Sequence, residues 1–528
     1  MQHGIKNRIM TLAILLVMIF ITVDAQALSL PNIFASHMVL QRDLPIQVWG
    51  TAKAHSMIRV TFADQSVNAK ANDNGKWKLS LKALPANSKA QKMTVTGDGQ
   101  TITYDNVLIG YVWICSGQSN MGMRVKSSNN SAKEIANATD NLIRLCRVKN
   151  QLSPTPQTNL NLTWYVCNPK NVPDFSAAGY FFGRTLRQNI DVPVGLIDTS
   201  WGGTPAEAWT RKQTLTSTPL LSDITPRWDK KVANYPQRMA KWQKDIRTYQ
   251  TRITQWLKDH PGKTKKDARS NPKYRSPRKP RTPDNDSHAP AVLYNAMIYP
   301  LAPFGIKGAI WYQGESNAGR SNQYRTLLPA MIKDWRDLWS QGDFPFGIVQ
   351  LANFHPTSKI PQNSGWAHLR DAQCFTHQSV TNTGLAVIID IGDAKNIHPK
   401  NKQDVGKRLA LWAMHDVYNL TDTQYTGPVY SNFKVTGSKV TLTFDHVDGQ
   451  LTTTNGKAPA EFIICGKDQK WVWAKANITG KNTLEVWANE IAEPVAVRYA
   501  WANNPATPNL TDASKLPASP FSTHNWPK

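Results

Sequence analysis

The sequence predicts an α/β domain carried between two smaller β-sandwich-like units, and three observations predict it. Between about Asn106 and Asn419, apolar strand-like runs alternate with amphipathic helical ones, the pattern of a parallel sheet covered on both faces. Before and after that stretch, short alternating strands follow one another at turn-sized spacing, with no helical run between them. The 528 residues, 41% of them hydrophobic, are too many for a single core and ample for three. The units are drawn at 28–105, 106–420 and 421–528, with 1–27 as a targeting segment.

At the N-terminus, Lys6 and Arg8 form a positive region and Ile9 to Val23 an uncharged apolar one, followed by the small-x-small pattern Ala25-Gln26-Ala27. That apolar run is short of the roughly 20 residues that span a bilayer. No second such run follows, so the expectation is a signal peptide and a mature chain without a transmembrane segment, secreted or periplasmic. From Leu28 the strands Ile46–Trp49, Ile58–Phe62, Trp77–Leu81 and Met93–Thr96 are punctuated by Asp73-Asn74-Gly75 and Gly97-Asp98-Gly99. A unit of this kind binds carbohydrate by itself or braces its neighbour, and bracing is the reading adopted.

In the α/β unit the expected strands are Val107–Cys115, Leu142–Val148, Pro193–Asp198, Gly308–Tyr312, Phe346–Leu351 and Leu385–Ile391. The expected helices include Ala177–Gln188, Arg325–Trp339 and Lys402–Val417. Residues 226–282 interrupt this alternation. Trp228, Val232, Tyr235, Met239, Trp242, Ile246, Tyr249, Ile253 and Trp256 are spaced by fours and threes, which predicts one long helix or two collinear ones. Pro236 marks a kink or a first turn. The stretch Pro261–Pro283, rich in Lys, Arg, Pro and Ser, is expected to be disordered or loosely attached. Residues 227–282 hold 18 Lys/Arg against 4 Asp, so +14 of the net charge of +25 lies in this one insertion. A charge confined in this way argues against a nucleic-acid partner and for a solvated excursion, with an acidic glycan or membrane surface as the alternative.

The last unit shows strands at Phe433–Val435, Lys439–Phe444, Glu461–Cys465, Trp471–Trp473 and Val495–Trp501. Five scattered cysteines without C-x-x-C spacing indicate neither a zinc site nor a disulfide framework, and Cys115 reads as a small core residue.

Four stretches follow predicted strands of the α/β unit, at the edge where such sheets place their chemistry. Ser119, in Gly117-Gln118-Ser119-Asn120-Met121, sits where a strand hands over to a helix N-terminus, amid N–H groups able to hold developing negative charge. Asp198–Thr204 contains Gly202 and Gly203, which let the backbone approach a ligand and offer N–H donors. Gln313-Gly314-Glu315-Ser316-Asn317 places amide side chains beside a flexible glycine. His398 lies on the loop after Leu385–Ile391, and Pro399 keeps it out of a helix.

Together these stretches resemble the sialate O-acetylesterases of the SGNH (GDSL-like) serine hydrolases, a group that includes related carbohydrate acetylesterases. Trp201-Gly202-Gly203-Thr204, Trp311–Asn317 and Ile397-His398-Pro399-Lys400-Asn401-Lys402 carry the likeness. So do Met38–Arg42, Leu293–Met297 and Pro520-Phe521. The resemblance implies a flavodoxin-like three-layer α/β/α domain and a Ser119 nucleophile with His398 as base. It also implies an oxyanion hole from Ser119 N–H, Gly203 of the 202–203 pair and Asn317. Gln118, Gln313 and Glu315 are then expected at the substrate. The substrate is expected to be an O-acetylated carbohydrate, sialic acid first and xylan or another polysaccharide second, with no metal or organic cofactor required. A reading from a different class is a sugar-binding protein with a degenerate catalytic domain. One departure bears on mechanism: Lys395 and Asn396 stand where relatives carry the aspartate that orients the histidine. Asp393, the nearest carboxylate, is taken as the third member. A main-chain carbonyl stands as the alternative, since tautomer choice needs only an acceptor.

Overall fold

The structure is a computed structural model that describes residues 27–524; the expected targeting segment, apart from Ala27, lies outside the described residues. Seven strands make the central sheet: β1 (Gln100–Gly117), β2 (Asp140–Val148), β3 (Leu162–Cys167), β4 (Val194–Ser200), β5 (Gly308–Tyr312), β6 (Phe346–Val349) and β7 (Thr383–Ala386). Their order is β7-β6-β5-β1-β4-β2-β3, all parallel except the edge strand β3. The chain fills one side of β1 with β2, β3 and then β4, which inserts between β1 and β2, and crosses to the other side at β5, so β1 is the switch point where α/β sheets open a crevice. The main helices are α1 (Ala177–Asn189), α2 (Tyr235–Asp259), α3 (Ser321–Trp339), α4 (Gly365–Ser379) and α5 (Lys402–Trp412).

Burial on both faces explains the apolar strands. Along β1, Val112 and Ile114 enter one core with Leu327, Leu328 and Trp335 of α3 and Leu369 of α4. Trp113 and Cys115, pointing the other way, enter a second core with Phe181 and Phe182 of α1 and Val405 and Leu409 of α5. All five cysteines are free thiols.

β1 is also the join to the N-terminal unit. Its first half pairs antiparallel with the strand Asn87–Gly97, so one continuous strand crosses the boundary drawn at 105/106. The N-terminal unit faces that sheet with the antiparallel pair Ile46–Thr51 and Lys76–Leu81. The C-terminal unit has two four-stranded sheets, and its core takes in Val387 and Ile389 from the segment after β7. Arg370 of α4 clamps the two: its buried guanidinium donates to the carbonyls of Leu351, Ala352, Ala502 and Asn503 at 2.8–3.1 Å. Desolvation lowers it to about 9, and four carbonyl acceptors make its burial tolerable.

The expected strand Leu385–Ile391 is displaced: β7 ends at Ala386, and Val387–Ile389 are buried coil, with Val387 and Ile389 turned onto the C-terminal core and Ile388 kept in the core of α1 and α5. The insertion is two helices, Ile224–Ala233 and α2, broken at Asn234, with Pro236 in the first turn of the second. The following segment is not loose. Ala268 and Tyr274 pack on Tyr249, Ile253 and Trp256, and Arg252 donates to the Lys273 carbonyl at 2.8 Å, giving the excursion a small core of its own. No helix among the described residues is long and apolar enough to cross a membrane.

Candidate active site

Strand register brings the motifs together. Gly117 of β1 pairs with Ser200 of β4 and with Tyr312 of β5, so the residues that follow each strand fan out around one point. Gly117 has φ +134°, and a Cβ there would stand 2.2 Å from the Tyr312 carbonyl oxygen, so only glycine makes this turn. The turn delivers Ser119 as the first residue of a one-turn helix, half-buried between the buried Gln118 and Asn120. Gly202 lies against it, the position of its missing Cβ being 3.2 Å from Ser119 Cβ.

His398 arrives from the loop after β7, with Nε2 2.8 Å from Ser119 Oγ. The main chain holds that loop. Asn396 Oδ1 accepts from His398 N at 3.0 Å, Asn120 Nδ2 donates to the Ile397 carbonyl at 2.9 Å, and Asn353 Oδ1 accepts from Gly392 N at 2.7 Å. Asn353 also donates to Asn504, which links the histidine loop to the C-terminal unit. Burial, and then the nearby Lys402 ammonium, lower the imidazole below its ordinary value.

The third member expected at this histidine, Asp393, is not on it. Its carboxylate is exposed and accepts from the N–H groups of Lys395 (2.8 Å) and Asn396 (3.2 Å), capping its own turn. Ser119 is the one hydrogen-bond partner of the His398 ring among the described residues.

The residues expected at the substrate are also placed differently, because loop-to-loop bonds occupy them. Gln118 Oε1 accepts from Ser316 N at 3.2 Å. Gln313, fully buried, donates to the Thr204 carbonyl and to Asn317 Oδ1, leaving no surface for a ligand. Glu315 Oε1 accepts from Asn120 Nδ2 at 2.6 Å. Asn317 Oδ1 accepts from Ala206 N and its Nδ2 donates to Glu207, with the second amide hydrogen unassigned. Gly203, at φ +74°, has open space where a side chain would be.

Sequence reasoning gave no role to the hub of this network. Asn120 bridges Glu315 and Lys402, whose buried Nζ donates to Asn120 Oδ1 at 2.7 Å and lies 4.9 Å from the Tyr312 ring centre. Burial brings Lys402 down to about 7 and pushes the Glu315 carboxyl up, opposed by the bond from Asn120. Lys402 falls four residues after His398, and its place in the first turn of α5 was the available signal. An ion pair between Arg124 and the buried Asp198 (2.7 Å) closes the β4 side. A half-exposed hydroxyl hydrogen-bonded to a neutral-leaning imidazole, with backbone N–H groups at a helix start beside it, is equipped for nucleophilic attack on an ester carbonyl.

Comparison with known proteins agrees with that chemistry. A family model described as carbohydrate esterase, sialic acid-specific acetylesterase, matches residues 110–259 and 287–414, passing over the whole of the basic Pro261–Pro283 stretch. Sialate O-acetylesterase of Mus musculus is 29% identical over 531 residues, covering 92% of each chain, and that of Homo sapiens is 27% identical over 534 residues with the same coverage. The crystal structure of a carbohydrate acetylesterase from Xanthomonas citri superposes with a TM-score of 0.78 at 35% identity, covering 94% of this chain and 100% of that one. That likeness carries the three-layer SGNH architecture described above. The chain belongs to the sialic acid-specific acetylesterase family of carbohydrate esterases and is a carboxylic ester hydrolase.

Proposed function

We propose that the protein removes O-acetyl groups from sugars by a Ser119 acyl-enzyme mechanism run by a serine–histidine dyad, with 9-O-acetylated sialic acid as the favoured substrate. The single observation that carries the mechanism is the 2.8 Å contact between His398 Nε2 and Ser119 Oγ. His398 takes the hydroxyl proton as Oγ bonds to the acetyl carbonyl carbon. The oxyanion is met by Ser119 N–H, by an N–H of the 202–203 pair and by the second amide hydrogen of Asn317. As the tetrahedral adduct collapses, the sugar oxygen leaves with the proton from His398. Water then repeats the two steps, releasing acetate and restoring the serine. The family description and the mammalian relatives favour the sialate substrate. A second reading, acetyl groups on xylan or another polysaccharide, is favoured by the higher identity to the Xanthomonas citri carbohydrate acetylesterase. Acetate release from O-acetylated sialic acids, acetylated xylan and a chromogenic acetate separates the two, and release from none of them would sink the esterase reading. The positive N-terminal region and apolar run of 1–27 support export. N-terminal sequencing of protein recovered outside the cytoplasm tests that.

Two expected results follow from the geometry. Asn317→Ala should lower turnover by about 10²–10³, the usual cost of one oxyanion donor, with little change in KM. A raised KM at unchanged turnover would make Asn317 a substrate contact instead. The second concerns pH. The base must be neutral to act, so the acid limb of kcat/KM should lie below the ordinary histidine value of 6.5. The Lys402 ammonium repels a proton on His398, so Lys402→Met removes that repulsion and should move the limb upward, toward 6.5. A pH–rate profile of both proteins checks the direction, and an unmoved or lowered limb would contradict it.

A further inference from the structure

A cleft of about 680 Å³ lies away from Ser119, between the N-terminal β unit and the hydrolase domain, within the roughly 300–1,000 Å³ range of small-molecule sites. Lys70, Lys76 and Lys78 line it from the β unit together with Trp49 and Trp77, and Tyr299 faces them from the hydrolase domain. No Asp or Glu is among the lining residues.

Strand pairing explains how the charged wall is built. In the antiparallel pair Ile46–Thr51 with Lys76–Leu81, Trp49 is directly opposite Lys78, and Lys76 is opposite Thr51. Residues two apart or directly opposite share a face, so Trp49, Lys76 and Lys78 stand together on the outer surface while Val48, Leu79 and Leu81 fill the core. Phe34, edge-on to the indole at 4.8 Å, fixes the Trp49 ring. Tyr299 is 38% exposed. Trp77, on the inner face with Leu79 and 3% exposed, reaches the cleft at its floor and keeps an indole N–H without an acceptor among the described residues. None of the three lysine ammonium groups has an ion-pair or hydrogen-bond partner among the described residues.

We propose that this cleft is a second carbohydrate site, which holds a carboxylate-bearing oligosaccharide while Ser119 acts elsewhere on the glycan. Aromatic rings at two walls provide stacking surface for sugar rings. Three unneutralised ammonium groups in one concave space attract an anion and repel one another until it arrives. A phosphate backbone would also be drawn to the charge, but a carbohydrate ligand suits an enzyme of carbohydrate esters. The carboxylate comes from a sialic acid or from a uronic acid, and the experiment distinguishes them. This inference goes beyond the active-site reading and stands without it, because binding at the cleft needs no catalysis.

The test is calorimetric titration of the intact protein with three unacetylated oligosaccharides of equal length: one sialylated, one uronate-containing and one neutral. One acidic sugar should bind more tightly than the neutral one by about tenfold, and added salt should weaken it. Trp49→Ala, at a half-buried strand position and so read beside a melting curve, and Lys76→Ala/Lys78→Ala, at exposed ones, should each lose about tenfold of that affinity while turnover of a small chromogenic acetate is unchanged. Equal binding of acidic and neutral sugars overturns the proposal, as does unchanged affinity in both variants, which would put the ligand at Ser119 alone. Tighter binding of a single-stranded oligonucleotide of equal charge overturns it in favour of a nucleic acid. Failure of the esterase reading would show separately, as absence of acetate release by the unaltered protein.

Discussion

Ser119→Ala is expected to lower acetyl-ester turnover by about 10⁴–10⁶ with the fold intact, on the scale of nucleophile loss in serine hydrolases. Alanine keeps the Cβ that lies 3.2 Å from the missing Cβ position of Gly202, so the change deletes the hydroxyl and little else. The side chains that tie the neighbouring loops together are those of Gln118 and Asn120, on either side of the serine. The Ser119 hydroxyl is half-exposed and its side-chain bond is to His398. Thermal stability should therefore stay near that of the unaltered protein, within the roughly 0.5 kcal/mol expected of a change away from core and caps. Turnover on a chromogenic acetate and on an O-acetylated sugar, beside a melting curve, checks both halves. Ordinary turnover would remove the serine mechanism, and a large fall in melting temperature would show that the hydroxyl has a structural role.

Much of the fold is legible in the sequence, because strands buried on both faces read as apolar runs. Val112 to Cys115 divide between two cores by simple alternation, and that is visible without coordinates. What is not legible breaks the same rule. Helix α4 places Arg370, Gln373 and Thr376 in the interior beside Trp366, Ala367, Leu369 and Ala372, so its buried face is mixed and its amphipathic period is blurred. The antiparallel β3 lies between polar, proline-bearing segments that mask a six-residue strand. Tryptophan content is no guide to the site: Trp113, Trp164, Trp209, Trp311 and Trp335 are fully buried in the core, and Trp209, Trp311 and Trp335 meet edge to face. Ser119 stands two residues past the end of β1, where a strand-to-helix change is legible, whereas His398 lies twelve residues past the end of β7 on a loop that the sequence marks only by its glycine and proline. The Asn120–Glu315–Lys402 network was not legible, because it joins residues 195 and 282 positions apart and depends on burial.

His398→Ala should cost turnover about as much as loss of the serine, ~10⁴ or more, whereas Asp393→Asn should change it by less than about threefold. In proteases whose histidine is held by an aspartate, the aspartate-to-asparagine change costs about 10⁴, because the imidazolium loses its counter-charge and the ring its correct tautomer. Here the expectation reverses, for three reasons. Asp393 Oδ1 accepts from Lys395 N and Asn396 N, and an asparagine oxygen can accept the same two bonds, so the turn survives. The loop that carries His398 is held by its main chain, through Asn396, Asn120 and Asn353, and the Asp393 side chain enters only by accepting from Asn396 N, a bond that asparagine keeps. The imidazole is lowered by burial and by Lys402, the opposite of what a contacting carboxylate would do. A dyad without a counter-charge stabilises the imidazolium less, but an acetyl ester asks less of it than an amide, since its leaving group is the better one. Rescue points the same way: added imidazole should restore part of the His398→Ala activity if the ring acts as base and the cavity it leaves is open. Near-ordinary turnover in Asp393→Asn beside almost none in His398→Ala establishes the dyad. A loss above about 10² in Asp393→Asn would mean that its carboxylate swings onto the ring when substrate binds, and that the aspartate is a working third member after all.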